Sequence, residues 1–200
     1  MRRIITAALS VTMVLALAVP AAAGGGDRHH PPKKDVVDVV LAVSGSKGFD
    51  RNPNDYDLLR ESLVATGLVD DLKAAKRITV WAPKDRAFTR LARDLGWKGG
   101  KERGAFRFLA RNVGADVLAD VLQYHVTPKK LTVKDVAKLA KRDKPIRTLL
   151  GPTIKVTRSF KLIDREPDLR NPRIVPPTNV RASNGIIHSI NRVLIPVDLP

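Results

Sequence analysis

An α+β domain is what this sequence predicts, and three observations lead there. Apolar residues at helical spacing fill the first half, short β-rich runs fill the second, and one buried strand already lies among the helices. In DVVDVVLAV the acidic residues Asp35 and Asp38 occupy the first turns of an apolar run, which predicts a buried helix rather than an alternating strand. Leu58, Leu59, Leu63 and Val64 recur at helical spacing, Gly67 breaks the run, and Leu68, Val69 and Leu72 resume it, so two short helices follow. ITVWAP, from Ile78 to Pro83, is β-branched and aromatic and stops at a proline, as a buried strand does.

Phe88, Leu91, Ala92 and Leu95 then lie at i, i+3, i+4 and i+7, with Gly96 placed to end that helix. A further helical pattern runs from Ala105 to Leu122 with an interruption at Gly114. QYHVTP reads as a short strand closed by Pro128. Thr132 with Asp135 three residues on predicts an N-cap for a helix from Val133 to about Ala140, stapled by Leu131 and Val136. After Pro145 the runs RTLL, TIKVT, FKLID, RIVP and NVRAS are strands, separated by turn chemistry at GP, EPDLRNP and PPT.

The 200 residues suffice for one domain with a sizeable core. Arg2 and Arg3, the apolar stretch Ile4–Val19 and Ala21-Ala22-Ala23 have the three-part form of a secretory signal peptide, so residues 1–23 are expected to be removed after about Ala23. Residues 24–34, GGGDRHHPPKK, hold no apolar residue fit for a core and read as a flexible tether, leaving 35–197 as the folded domain. The expected product is secreted, extracellular or periplasmic, a monomer with no transmembrane span. Cysteine is absent, which excludes disulfides, thiolate catalysis and Cys-ligated zinc. The net charge is +16, and +14 without the two arginines of the leader, so anionic partners are favoured.

Three separated stretches resemble one family. ITVWAPKDRAF resembles the first signature box of the fasciclin-like (FAS1) domains, QYHVTPKKLT resembles their central Tyr-His motif, and ASNGIIHSINRVLIP resembles their second box. The resemblance implies a wedge-shaped β-sandwich with a layer of short helices, found in secreted and cell-surface proteins of adhesion, and it implies no enzyme chemistry. Trp81 departs from the usual phenylalanine, Lys84 from a small hydroxyl residue and Lys129 from glycine. Within that resemblance Asp85 and His125 are expected to form a hydrogen-bonded pair, and Tyr124 with His125 take the positions associated with receptor contact in some members.

No residue is singled out as catalytic, cofactor-binding or metal-binding. His29 and His30 lack a fixed third ligand. His188 precedes Ser189 directly, which in a strand sends the two side chains to opposite faces, and no Gly-x-Ser-x-Gly elbow exists. Asp50, Asn52, Asn54 and Glu61 fall at positions 1, 3, 5 and 12 of a calcium loop, but Asp55 replaces its essential glycine, so a turn and helix cap is the preferred reading.

The eight cations Lys129, Lys130, Lys134, Lys138, Lys141, Arg142, Lys144 and Arg147 face only Asp135 and Asp143 over the same stretch. Lys134, Lys138 and Lys141 share a helix face, and Lys98, Lys101, Arg103, Arg107 and Arg111 form a second cluster. The expected partner is an anionic polysaccharide, a cell-wall polymer or a protein receptor at a cell surface, contacted through these patches. Nucleic acid is not expected, because aromatics for base stacking are few. A carrier of a small apolar ligand is the alternative, and a hydrolase a distant third. In NGIIHSINRVLIP, His188 is expected to point inward as a strut. Asn184-Gly185 is expected as the register-setting turn, and a bulge near Asn191-Arg192 would bring Val193 and Ile195 to the core side.

Overall fold

A computed structural model describes residues 32–45 and 48–196, so the expected leader, most of the tether and residue 197 lie outside the described residues. Helices α1 (Val36–Ser44), α2 (Asp57–Ala65) and α3 (Val69–Ala74) precede strand β1 (Ile78–Pro83). Then come α4 (Asp85–Asp94), α5 (Glu102–Val113), α6 (Ala115–Tyr124), β2 (Val126–Thr127) and α7 (Val133–Lys141). The chain finishes with β3 (Ile146–Arg147), β4 (Thr153–Val156), β5 (Leu162–Ile163), β6 (Ile174–Arg181) and β7 (Gly185–Ile190). The expected α+β class holds.

Two sheets form, in the strand orders β2-β1-β7-β6 and β3-β4-β5. Every residue of β1 and β7 is buried, and these strands run parallel, with Trp81 opposite His188. A sheet centre buried on both faces needs apolar residues at consecutive positions, and ITVWAP and GIIHSI supply them. One face places Ile78, Val80, Ala82 and Ile187 against α1, α2, α4, α5 and α6. The other places Trp81 and Ile190 against Ile146, Ile154, Val156 and Leu162 of the smaller sheet, with Val136 of α7 in the same cluster. The result is a sandwich with most of the helices layered on one side, and each of the buried Val, Leu and Ile side chains contributes roughly 1.5–3 kcal/mol.

Because both faces of β7 are core, its alternation needs no slip. The strand ends at Ile190, no bulge forms at Asn191-Arg192, and Val193, Leu194 and Ile195 are buried beyond the sheet. The register shift lies in the partner strand instead: Val175 pairs with Ser189 and Val180 with Ile187, so four residues of β6 stand across from His188 alone. RIVP and NVRAS are therefore one strand. Pro176 and Pro177 fall in its bulge on a sheet edge, where a missing N–H removes no ladder bond.

Two other expectations change. Gln123 and Tyr124 close α6 and His125 is its C-cap, so only Val126–Thr127 of QYHVTP is strand. The β6–β7 connection turns at Ser183-Asn184 between the mutually bonded Ala182 and Gly185, and neither Asn184 nor Gly185 has positive φ. Gly185 serves close approach: a Cβ there would lie 2.6 Å from the Ile78 carbonyl oxygen. Asn184 clamps the turn, accepting from the Val36 N–H at 3.0 Å and donating to the carbonyls of Leu72 (2.8 Å) and Ala75 (3.1 Å).

The helix termini follow their sequence signals. Asp35 and Asp38 form a capping box on α1, and Thr132 and Asp135 form another on α7, with Leu131 and Val136 buried as the staple. Gly96 takes positive φ, while the N–H groups of Gly96 and Trp97 bond back to Arg93 and Ala92, a Schellman ending. Substituting Thr132→Ala is expected to cost about 1 kcal/mol, read as a shift of the urea midpoint at unchanged slope. An unchanged midpoint would deny the cap its role.

Candidate functional site: two buried histidines, an acidic cluster and two basic surfaces

The histidines come first, because sequence reasoning made them candidates. His188 is fully buried and stacks on Trp81 at 5.4 Å between ring centroids. Its Nδ1 accepts from the Asn179 N–H at 3.2 Å, and its Nε2 donates to the Leu131 carbonyl at 2.9 Å. The ring thus pins the β6 bulge to the loop that enters α7. His125 is 2 % exposed, donates from Nδ1 to the Val121 carbonyl at 2.6 Å, and accepts the Leu194 N–H on Nε2 at 2.9 Å. Each ring needs one bare nitrogen, so each is neutral. Burial pulls His188 below the usual imidazole range and His125 down to about 4.

The expected Asp85–His125 pair does not form. Both nitrogens of His125 are used as described, and Asp85 turns to α2, accepting from the N–H groups of Asp57 (3.1 Å) and Leu58 (2.9 Å). Asp85 therefore caps a neighbouring helix rather than its own. The first amides of α4 are satisfied by chain instead, with Asp85 N–H on the Asp55 carbonyl and Arg86 N–H on that of Pro53. Tyr124 is likewise fully buried, its hydroxyl donating to the Thr153 carbonyl at 3.2 Å. Tyr124 and His125 are thus removed from the set of surface contacts.

Ser189 points away from His188, as alternation demands, and its hydroxyl bonds Tyr56 (2.7 Å) and the Pro177 carbonyl (2.8 Å). No nucleophile–base geometry arises between this His and Ser. The calcium-loop residues also behave as turn formers: Asp50 accepts from the Asn52 N–H, Asn52 from the Asn54 N–H, and Glu61 pairs with Arg60. Among the described residues, room for a carried apolar ligand is limited to a hollow of about 260 Å³ lined by Leu68, Leu72, Leu122, Val126 and Leu149. The cavity between Val37, Leu63, Val80 and Leu122 measures about 20 Å³, far below the roughly 300 Å³ that a small ligand fills.

What sequence reasoning missed is a cluster of acids that the fold assembles from distant positions. Asp55, Asp57, Asp85 and Glu102 are all buried, and carboxylate oxygens of Asp55, Asp57 and Asp85 lie within 4.8 Å of one another. Burial, then a hydrogen bond with Asp55, raises Asp85 to about 9; burial, then Asp55, raises Glu102 to about 7. Arg60 approaches Asp57 at 3.1 Å and offsets part of the charge. Asp55 and Asp57 flank Tyr56 in the sequence, a period that could have flagged them; nothing local flags Glu102.

Two basic surfaces remain. On the first, Lys129, Lys130, Lys134, Lys138, Lys141 and Arg142 are all exposed, as expected, and none forms an ion pair among the described residues. The second is a cleft of about 850 Å³ between α4, the 49–53 loop and the start of α5, lined by Arg51, Arg86, Arg90, Arg93, Lys101 and Arg103. Arg86, Arg90 and Arg93 at i, i+4 and i+7 were readable from the sequence as the face opposite Phe88 and Leu91. Only Lys101 and Arg103 of this lining belong to the second cluster noted in the sequence.

Residues 54–196 match one family model, the fasciclin domain. The chain belongs to the fasciclin domain family. Fasciclin domains are associated with cell adhesion or surface interaction, occur in extracellular or surface proteins, and are in general non-enzymatic. This fasciclin domain is 30 % identical over 142 residues to an uncharacterized protein, sll1735, of Synechocystis sp., covering 70 % of this chain and 89 % of that one. It is 28 % identical to the transforming growth factor-beta-induced protein ig-h3 of Sus scrofa, covering 73 % of this chain and 18 % of that one. Among solved structures it resembles a FAS1 domain pair from the insect cell adhesion molecule Fasciclin I, with a TM-score of 0.56, 18 % identity, and coverage of 82 % of this chain and 51 % of that one. That likeness speaks for the fold. Among the described residues no helix is long and apolar enough to cross a membrane.

Proposed function

We propose that this fasciclin domain is a secreted, non-enzymatic, monomeric surface-interaction module that contacts anionic polymers at a cell surface or in a matrix. Residues 1–23 act as the export leader, 24–34 as a tether and 35–197 as the contact domain. The observation that carries the reading is the exposed, unpaired cation row Lys134, Lys138 and Lys141 on α7, flanked by Lys129, Lys130 and Arg142. Solvated like charges repel one another at short range, and a polyanion relieves that repulsion while releasing its own counterions. Lys134 and Lys138 stand four residues apart on one face, so both reach the same strand of polymer.

The neutral, fully bonded histidines support the non-enzymatic part of the reading, since neither ring has a free nitrogen to move a proton. Binding of the purified chain to immobilised anionic polysaccharide is expected at about 0.05 M salt and is expected to be largely lost at about 0.5 M. Mass spectrometry of the exported protein is expected to show a chain that starts at Gly24. Binding unchanged by salt would sink the electrostatic reading, and a chain found only inside the cell with its leader intact would sink the export reading.

A further inference from the structure

We infer that the cleft between α4 and α5 is the binding site for a linear surface polymer carrying repeated oxyanion groups (carboxylate, sulfate or phosphate), held by Arg86, Arg90 and Arg93 on one wall and by Arg51, Lys101 and Arg103 on the other. This rests on the anionic-partner reading and goes beyond it by moving the specific contacts away from α7. The α7 row is a field of lysines on a convex helix face, whereas the cleft concentrates five arginines and a lysine around one concavity. Guanidinium groups bind oxyanions in a fixed fork, often through two parallel hydrogen bonds, where ammonium groups act as point charges.

The geometry favours an extended ligand. Arg86, Arg90 and Arg93 form one row along α4, spaced by about 6 Å and then about 4.5 Å of helix rise. A single small anion cannot bridge that row, but successive anionic groups on one chain can. Two guanidiniums are already held in place: Arg90 donates to the Asn191 carbonyl at 3.1 Å, and Arg103 lies over the Phe49 ring at 5.7 Å. Such pinning reduces the side-chain ordering that binding must otherwise impose. Thr89 also lines the cleft, its hydroxyl donating to the Arg86 carbonyl at 3.1 Å.

The cleft carries an excess of positive charge, six cations against the acids Asp50 and Glu102. None of its six cations forms an ion pair among the described residues, although Asp94 pairs with Arg192 close by at 2.7 Å. Burial, and then Arg192 and Arg86, press the Arg90 guanidinium below its ordinary value, with Asp94 offsetting part of the effect and Arg93 adding to it. Of the two acids in the lining, Asp50 accepts from the Asn52 N–H and is outnumbered by the cations, and Glu102 is raised toward neutrality by burial. Like charges four residues apart on α4 cost a few tenths of a kcal/mol each in the free protein, and an oxyanion chain removes that cost. Base stacking has little support in the cleft, where Phe49 is the sole aromatic side chain in the lining.

The test compares two double substitutions that remove equal charge, R86Q/R93Q in the cleft and K134Q/K138Q on α7, in the full chain. Polygalacturonate, heparin and long-chain polyphosphate supply carboxylate, sulfate and phosphate arms, with duplex DNA as a fourth probe, and Kd is measured at fixed salt. The cleft pair is expected to weaken the preferred arm by at least about tenfold, and the α7 pair by less than about threefold, with circular dichroism unchanged in both. Equal weakening by the two pairs would overturn the cleft assignment while leaving the anionic-partner reading standing. Failure of the wild-type chain to bind any arm would overturn both, and tightest binding to DNA would overturn the assignment to a surface polymer.

Discussion

Replacing His125 with alanine is expected to lower stability by about 4 kcal/mol at pH 7 and the melting temperature by about 12 °C. The imidazole is buried, and its removal orphans the Leu194 N–H, which has His125 Nε2 as its acceptor at 2.9 Å. An orphaned buried N–H costs about 1–3 kcal/mol, and the cavity left by the ring adds a comparable amount. The Val121 carbonyl suffers less, because it still accepts the backbone N–H of residue 125 at 3.2 Å. Calorimetry or urea unfolding of the variant reads the loss.

The same substitution carries a pH signature. The unfolded imidazole takes a proton near pH 6.5, whereas the folded one resists until about pH 4. The folded pKa is depressed, so the stability contributed by the neutral ring is full above about 6.5 and declines as pH falls toward about 4. Over that window the loss is roughly 3 kcal/mol. Asp85, raised to about 9, Glu102, raised to about 7, and Asp164, raised to about 6, all chiefly by burial, act in the opposite sense and together outweigh this in the wild-type curve. The difference between wild type and His125→Ala isolates it: a gap of about 4 kcal/mol at pH 7 is expected to shrink to about 1 near pH 4. A gap that stays constant would show that the ring is not held neutral.

Much of this arrangement could be read from the chain, and the failures have physical causes. The capping box of Thr132 and Asp135 was legible because it needs only two residues three apart. The burial of ITVWAP was legible because an unbroken apolar run has no exposed face to offer. Tyr124 and His125 read as strand because Tyr, Val and Thr are β-rich, yet the helical period from Leu118 and Val121 continues through Tyr124. Strand parity puts a bulge in β7 only for a sheet with one core face, and this sheet has two, so the bulge falls in β6. His188 was foreseen as an inward strut, but its bond to Asn179 depends on a bulge that no local signal announces. The acidic cluster needed the long-range docking of α2, α4 and α5, and the cleft needed the same docking to turn a row on α4 into a concavity.

Asp85→Ala is expected to be the second large loss, about 3 kcal/mol at pH 7, with a pH trend opposite to that of His125. Two buried N–H groups at the start of α2 lose their acceptor, each worth about 1–3 kcal/mol. Relief of repulsion among Asp55, Asp57 and Glu102 offsets little of this, because the Asp85 carboxyl, raised to about 9, is already largely protonated at pH 7. With a raised folded pKa, the contribution is fullest below the unfolded value of 3.8 and is lost as pH rises through about 9, so the gap to Asp85→Ala widens in acid and narrows in alkali. His125 and Asp85 share no hydrogen-bond partner, one tying α6 to Leu194 and the other tying α4 to α2. The double variant is therefore expected to lose the sum of the two single losses to within about 0.5 kcal/mol, measured by urea unfolding at pH 7. The pairing inferred from the family motif requires the reverse, a double variant barely worse than either single one. A coupling above about 1 kcal/mol would restore that pairing, and additivity would assign the Asp of the first box to helix capping and the His of the central motif to the closing segment.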